Sequence, residues 1–174
     1  MAIWYEVQKS KEGIVNFMRS NSCFHDYRIE RIEYVAGKDY VDLFLKIDQT
    51  EGALLRFVDI ANVKVNGNID YKADCLWACT LLLLENGNFI WFSEDYENFY
   101  SDHSYEDLSK LKEYSTWVEA KRVLWAATDG DGVLIEMPMY HIDCDCVYYD
   151  KTYHEHYDIV PFTGNFKDIL RPKY

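Results

Sequence analysis

The feature that most restricts the fold of this chain is the run CTLLLLENGNFIWFSED, residues 79–95. Two apolar segments rich in Leu and aromatic residues flank Asn86-Gly87. Both central residues of a type I′ turn need positive φ, and Asn and Gly tolerate that conformation best. The run therefore predicts a β-hairpin with Asn86-Gly87 at its tip, the clearest local signal in the chain.

Period-two alternation continues this strand pattern in the first third of the chain. In YVDLFLKID, the apolar residues Val41, Leu43, Leu45 and Ile47 alternate with Tyr40, Asp42, Phe44 and Lys46, which is typical of a half-buried strand. FHDYRIERIEYV precedes it across an AGKD turn, and IWYEVQ (3–8) is predicted as a short strand. ALLRFVDI and NVKVNGN follow a QTEG turn, so the whole stretch predicts a meander of antiparallel strands.

Helix signals are few and short. Ser10 is a candidate N-cap for a helix that places Ile14, Val15 and Met18 on one side, although Gly13 weakens it. A second short, exposed helix is predicted after Ser104, with an acid three residues later at Asp107 and apolar residues at 108 and 111.

Residues 116–127 are ambiguous between strand and helix. Thr116 and Glu119 fit a helical capping box, whereas the TDGDG turn between two apolar runs favours a long hairpin whose second arm is 140–149. We favour the hairpin. The DGDG sequence lacks the later ligands and closing Glu of a calcium loop, so it is interpreted as a turn.

Length and composition complete the fold prediction. A chain of 174 residues that is 49% hydrophobic and 17% aromatic fits a single domain, 1–174. Strands dominate the pattern. We therefore expect an α+β fold, mainly antiparallel β-sheet curled into a barrel or sandwich, with one or two short helices.

The N-terminal residues and the cysteines bear on cellular location. The first residues lack the basic and apolar regions of a signal peptide, and no purely apolar run, LLLL at 81–84 included, is long enough to cross a membrane. Five Cys without disulfide-framework spacing indicate free thiols. These features predict a cytoplasmic protein without a membrane partner.

The net charge of −12 is unevenly distributed. Residues 85–114 carry −6 and residues 129–158 carry −7, so the rest of the chain sums to +1. A surface of this sign repels phosphates, which argues against binding nucleic acid. It suits a basic protein partner, or serves only solubility.

The stretch YHIDCDCVYYDKTYHEHYDIVPF (140–162) concentrates metal-ligating residue types. If 140–149 is a strand, Cys144 and Cys146 lie on the apolar face and cannot converge with a His from the other face on one zinc ion. A weaker cluster remains, in which i, i+2 spacing allows chelation of one ion: His141, Asp143, Asp145, His154 and His156. We expect ordinary exposed strands there, no tightly bound metal and no cofactor.

Signatures of catalysis are absent from the sequence. It has no G-x-S-x-G nucleophile elbow, no G-x-G-x-x-G and no Walker loop. The expectation is a protein that is not an enzyme. A metal-dependent hydrolase using the C-terminal His/Asp cluster and a small-ligand- or sugar-binding β domain stay open as alternatives, the latter because of the many Tyr and Trp.

Residues 24–68 carry a resemblance. FHDYRIERIEYVAGKDYVDLFLKID and ALLRFVDIANVKVNGN are similar to the opening of small bacterial β-rich domains, some of them immunity-protein-like. The resemblance implies a bacterial protein without catalysis; some of the similar domains are of the immunity type, which neutralises toxins, and the resemblance transfers no functional residue. Together with the charge, it predicts a non-catalytic acidic binding module, an immunity-type inhibitor of a basic protein partner.

Overall fold

In a computed structural model, the described part of the chain comprises residues 4–20, 24, 27–34, 36–47, 49–66, 79–93, 112–113 and 115–135. These residues hold one helix, α1 (Lys11–Ser20), and seven strands. The strands are β1 (Tyr5–Glu6), β2 (Arg28–Tyr34), β3 (Tyr40–Lys46), β4 (Gly52–Lys64), β5 (Thr80–Leu83), β6 (Phe89–Phe92) and β7 (Trp117–Thr128). The α+β class with a dominant antiparallel sheet is confirmed.

Six of the described strands form one open sheet in the order β2-β3-β4-β7-β6-β5, and the seventh, β1, pairs with β7. Every pairing is antiparallel. The prediction of a barrel is wrong, because the sheet is not closed, and the described strands include no second sheet to complete a sandwich. The two ends of the sheet explain why. β2 exposes mostly charged side chains and β5 has only four residues, and both properties protect a sheet edge from further pairing.

The long β4–β7 ladder is the centre of the sheet. It runs from Gly52 opposite Thr128 to Lys64 opposite Trp117. The two strands predicted at 53–60 and 62–68 are thus largely one continuous strand, with a register shift between Ile60 and Asn62. Residues 116–127, ambiguous in sequence, belong almost entirely to strand β7, which confirms the strand preference.

The hairpin at Asn86-Gly87 is confirmed, but its predicted turn type is wrong. Leu84 accepts a hydrogen bond from Gly87 N (2.9 Å) and donates one to Asn88 O (2.8 Å). Gly87 has φ of +78°, while Asn86 does not adopt positive φ. This is a three-residue loop, a type I turn followed by a residue in the left-handed region. Asn86 contributes a side-chain acceptor for Asn88 N instead.

The predicted turn at 129–132 is confirmed. Asp129 Oδ1 accepts hydrogen bonds from Asp131 N and Val133 N, and Thr128 pairs with Leu134. The predicted second arm, 140–149, lies outside the described residues. Strand β7 has neighbours on both of its edges. β4 pairs along one edge, while β1, opposite Leu124, and β6, opposite Ala120, pair along the other.

Helix α1 packs on one face of the sheet and begins as predicted. Gly13 N donates to Ser10 Oγ at 3.0 Å, so Ser10 is the N-cap. The core side includes Phe17 and Met18, whereas the prediction had omitted Phe17. The structure explains why a glycine is present at position 13, because a Cβ there would overlap Gln8. The second predicted helix falls mainly outside the described residues, although 112–113 are helical.

The main core lies between α1 and this face of the sheet and includes Phe24, Leu43, Leu55, Phe57 and Trp91. The opposite face is also buried in two smaller clusters, one around Ile90, Phe92 and Trp117 and one around Val58 and Leu124. Val41, Leu43 and Leu45 are buried as their alternation predicted, but so is Asp42. The sheet is therefore not half-exposed, and its second face needs polar groups that are satisfied internally.

Candidate functional site

The five candidate metal ligands, His141, Asp143, Asp145, His154 and His156, all lie outside the described residues, as do Cys144 and Cys146. Their arrangement stays a prediction. Within the described ranges, no group of three His, Cys, Asp or Glu side chains is placed to hold a metal ion. Cys79 is a buried thiol, while the other four cysteines lie beyond those ranges.

We expect the protein to melt at the same temperature at pH 7.5 with zinc, with manganese or with EDTA. At that pH a His/Asp site would bind most tightly, because its imidazoles are neutral and its carboxylates ionised. Metal at a hundredfold excess over Kd would stabilise the fold by about 2.7 kcal/mol, raising Tm by roughly 5–10 °C. A metal-dependent shift that His154→Ala with His156→Ala removes would contradict the expectation.

Most of the negative charge lies outside the described sheet. The described residues carry 12 Lys or Arg against 13 Asp or Glu, a net −1, so −11 of the −12 belongs to the remaining residues. The largest share is in 94–111, with six acids and one base, a net −5. The sheet is thus a nearly neutral scaffold to which acidic segments are attached.

The acidic connection, residues 94–114, joins two neighbouring strands. Its first end follows Ser93 and its second precedes Ser115, and these ends meet at the sheet. Ser93 N donates to Thr116 O at 2.9 Å, and Thr116 N donates back to Ser93 Oγ at 3.1 Å. Both side chains are buried. The connection therefore leaves and returns at one point beside the start of β7.

Further hydrogen bonds tie this point to β4 and the residues after it. Lys64 Nζ donates to Lys112 O (2.9 Å) and Glu113 O (2.6 Å). Trp117 Nε1 also donates to Lys112 O, at 3.1 Å, and the Lys112 ammonium lies 4.9 Å from the centre of the Trp117 ring. We call the set Lys64, Asn66, Ser93, Lys112, Thr116 and Trp117 the neck.

Asn66 completes the neck by donating its backbone N–H to Thr116 Oγ1 at 3.0 Å. Sequence reasoning missed the neck, because all of its hydrogen bonds except the one between Trp117 and Lys112 join residues that are 23 to 50 positions apart. Thr116 was noticed only as a possible helix cap. The local signal that existed was the length of the connection, because loops that join two paired antiparallel strands usually have only about two to five residues.

Two Arg–carboxylate ion pairs lie on the second face of the sheet, the face turned away from helix α1. Arg56 donates to both carboxylate oxygens of Asp42 (2.6 and 2.5 Å), and its guanidinium carbon lies over the rings of Trp4 and Tyr40, 5.2 and 4.3 Å from their centres. The register between β3 and β4 places Asp42 directly opposite Arg56. Such bidentate, stacked geometry favours a role in structure, with the charges already matched.

A second pair lies further along the same face. Arg122 donates to both carboxylate oxygens of Glu6, at 2.7 and 2.9 Å. This hydrogen bonding raises the pKa of the Arg122 guanidinium further above its usual value. The pair joins β7 to the short strand β1, so it anchors the N-terminal strand to the centre of the sheet.

A small polar cleft lies between the β2–β3 pair and the turn at 129–132, with a volume of about 140 Å³. Ligand pockets usually measure roughly 300–1,000 Å³. Its wall includes Arg31, whose guanidinium stacks on Phe44 at 3.5 Å from the ring centre. The carboxylate of Asp129 is occupied by the turn. The cleft therefore gives no support to the small-ligand hypothesis.

Comparison of the chain with protein-family models, curated proteins and solved structures found no match. No helix among the described residues is long and apolar enough to cross a membrane.

Proposed function

We propose that the chain is a non-catalytic acidic binding module and that its partner is a basic protein. One observation carries the proposal: a nearly neutral sheet holds an acidic connection of net charge −5 between two paired strands. Binding residues are found disproportionately on loops positioned by a rigid scaffold. The resemblance of 24–68 to immunity-protein-like domains supports a toxin as the partner.

Charge complementarity explains what such a module gains. Carboxylates concentrated on one segment raise the rate of encounter with a basic surface, and this effect is screened beyond about 8 Å at physiological ionic strength. The connection also contains Tyr96, Phe99, Tyr100 and Tyr105 among its acids. Aromatic side chains of this kind supply contact area and are enriched among the residues that dominate binding energy.

The proposal is tested on the protein encoded beside this gene, the first candidate partner for an immunity-type inhibitor. Asp102, Glu106 and Asp107 are changed together to Lys, and association is followed by stopped-flow fluorescence at low and high salt. We expect association at low salt to slow by about tenfold or more, because steering acts on the encounter rate. Dissociation should change far less.

In the matched control, three exposed acidic residues in or next to strands β2 and β3 are changed to Lys: Glu30, Glu33 and Asp39. It changes net charge by the same amount and should slow association clearly less than the first set. If both sets of substitutions slowed association equally, the acidic connection would act only through the net charge of the protein. An association rate that ignores salt and both sets would refute the proposal.

A further inference from the structure

Strand β2 forms one end of the sheet in the part of the chain that the structure describes. Its partner among the described strands is β3, so its other edge has backbone groups that a further strand could pair with. The side chains along it are accessible. Arg31 and Glu33 form an ion pair (2.7 Å) and yet stay 46% and 50% exposed, and Arg28 and Glu30 are exposed too.

The sequence of β2 contains the unit Arg-Ile-Glu twice, as RIERIE in residues 28–33. Read in the opposite direction, the same residues present Glu wherever the first reading presents Arg, and Ile wherever it presents Ile. Opposite charges directly across a strand pair are favourable, and like charges are not. Two antiparallel copies of β2 can therefore be aligned with complementary pairs throughout: Arg28 with Glu33, Ile29 with Ile32 and Glu30 with Arg31.

A bulge in β2 puts the members of each pair on the same face of the sheet. This is required, because directly opposite residues of two antiparallel strands share a face. Arg28 and Glu33 are an odd number of positions apart, so in a regular strand they would point to opposite faces. The register shift within 29–31 inserts one extra residue and brings them to one face. Accordingly, Ile29 and Ile32 both contact the main core on the other face.

We propose that two copies of this chain associate through β2, antiparallel about a two-fold axis that passes between Glu30 and Arg31. The sheet of one copy then continues into the sheet of the other. Charged residues on an edge strand ordinarily oppose pairing, because an unrelated strand leaves them unmatched. A second copy brings the complementary residue to each of them, so the charges that exclude other strands select this one.

The contact between the two copies is small. Pairing along one short strand buries less area than the roughly 1,200–2,000 Å² of stable interfaces. The net charge of −12 on each copy opposes association, but at physiological ionic strength charges more than about 8 Å apart are largely screened. We expect a Kd on the order of 100 μM. Well below that concentration the chain is a monomer, so the reversal of Glu30, Glu33 and Asp39 described above leaves its oligomeric state unchanged.

Sedimentation equilibrium at concentrations from about tenfold below to about tenfold above this Kd tests the proposal. The wild-type mass should rise from that of a monomer toward that of a dimer. An all-basic edge, Glu30→Arg with Glu33→Arg, and an all-acidic edge, Arg28→Glu with Arg31→Glu, should each weaken association by about tenfold or more, because every charged pair then joins like charges. An equimolar mixture of the two variants should dimerise at least as readily as the wild type.

Two further variants control for net charge and for folding. Glu85→Arg with Glu113→Arg changes two exposed acids away from β2. It alters the net charge as the all-basic edge does and should not weaken association. Glu30→Arg with Arg31→Glu exchanges one pair within a single chain and should keep wild-type association, whether or not the all-acidic edge folds. Circular dichroism verifies the sheet of each variant.

A wild-type mass that stays monomeric at every concentration would refute the proposal. Association of the all-basic edge as tight as that of the wild type would refute it too, because the contact would then lie elsewhere on the molecule. A mixture of folded variants that stays monomeric while the wild type dimerises would exclude the charge-matched register. All of these measurements use the protein alone, so their outcome is separate from that of binding to a basic partner.

Discussion

Replacing Arg56 with Met is expected to lower the free energy of unfolding by about 3–5 kcal/mol. The substitution removes the bidentate partner of Asp42, whose side chain is only 7% exposed. A carboxylate buried in this way cannot recover its hydration, so its charge is left uncompensated. Urea denaturation followed by tryptophan fluorescence measures the loss.

The matched control is Arg31→Met, which removes the same group from the exposed pair with Glu33. Exposed pairs contribute about 0–1 kcal/mol, so this variant should lose about 1 kcal/mol or less, including its stacking on Phe44. Combining Arg56→Met with Asp42→Leu should recover much of the stability, since neither charge is then buried alone. Equal losses for Arg31→Met and Arg56→Met would show that the Arg56–Asp42 pair is not buried in solution.

Replacing Gly130 with Ala is expected to destabilise the protein by about 3 kcal/mol or more, the upper range for overpacking. A Cβ at this position would overlap backbone atoms of Gln49, which belongs to the turn between β3 and β4. Backbone atoms cannot move aside as the end of a side chain can. One of the two turns must therefore shift, and thermal unfolding would record the cost.

Gly87→Ala separates this contact from the effect of backbone conformation. Gly87 has φ of +78° and nothing within 4 Å of an added Cβ. Its replacement should cost about 1–2 kcal/mol, which is the penalty for a non-glycine residue in the left-handed region. A loss at Gly130 no larger than that at Gly87 would mean that the two turns do not pack as described.

Local sequence was sufficient for the elements themselves. The hairpin at 79–92, the alternation in β3 and the cap at Ser10 each depend on residues close in sequence, whose conformational preferences act wherever the chain goes. The single open sheet was not predictable in the same way. Alternation indicates one buried face but does not say how many strands pair, or whether the first meets the last.

The candidate site, too, was predictable from the sequence only in part. Composition and order along the chain were enough to locate the acidic segments, because charge is a property of residues counted one by one. The neck could not be found in this way, since Lys64 meets Lys112 only after β4 and β7 have paired.

Tertiary structure also decided that Asp42 is buried, that Gly87 alone takes positive φ in its turn, and that Gly130 admits no side chain. The sequence by itself determined the strands, the turns and the placement of charge, through short-range conformational preference. Pairing and packing decided which polar groups are buried, because burial depends on neighbours that are distant in the chain.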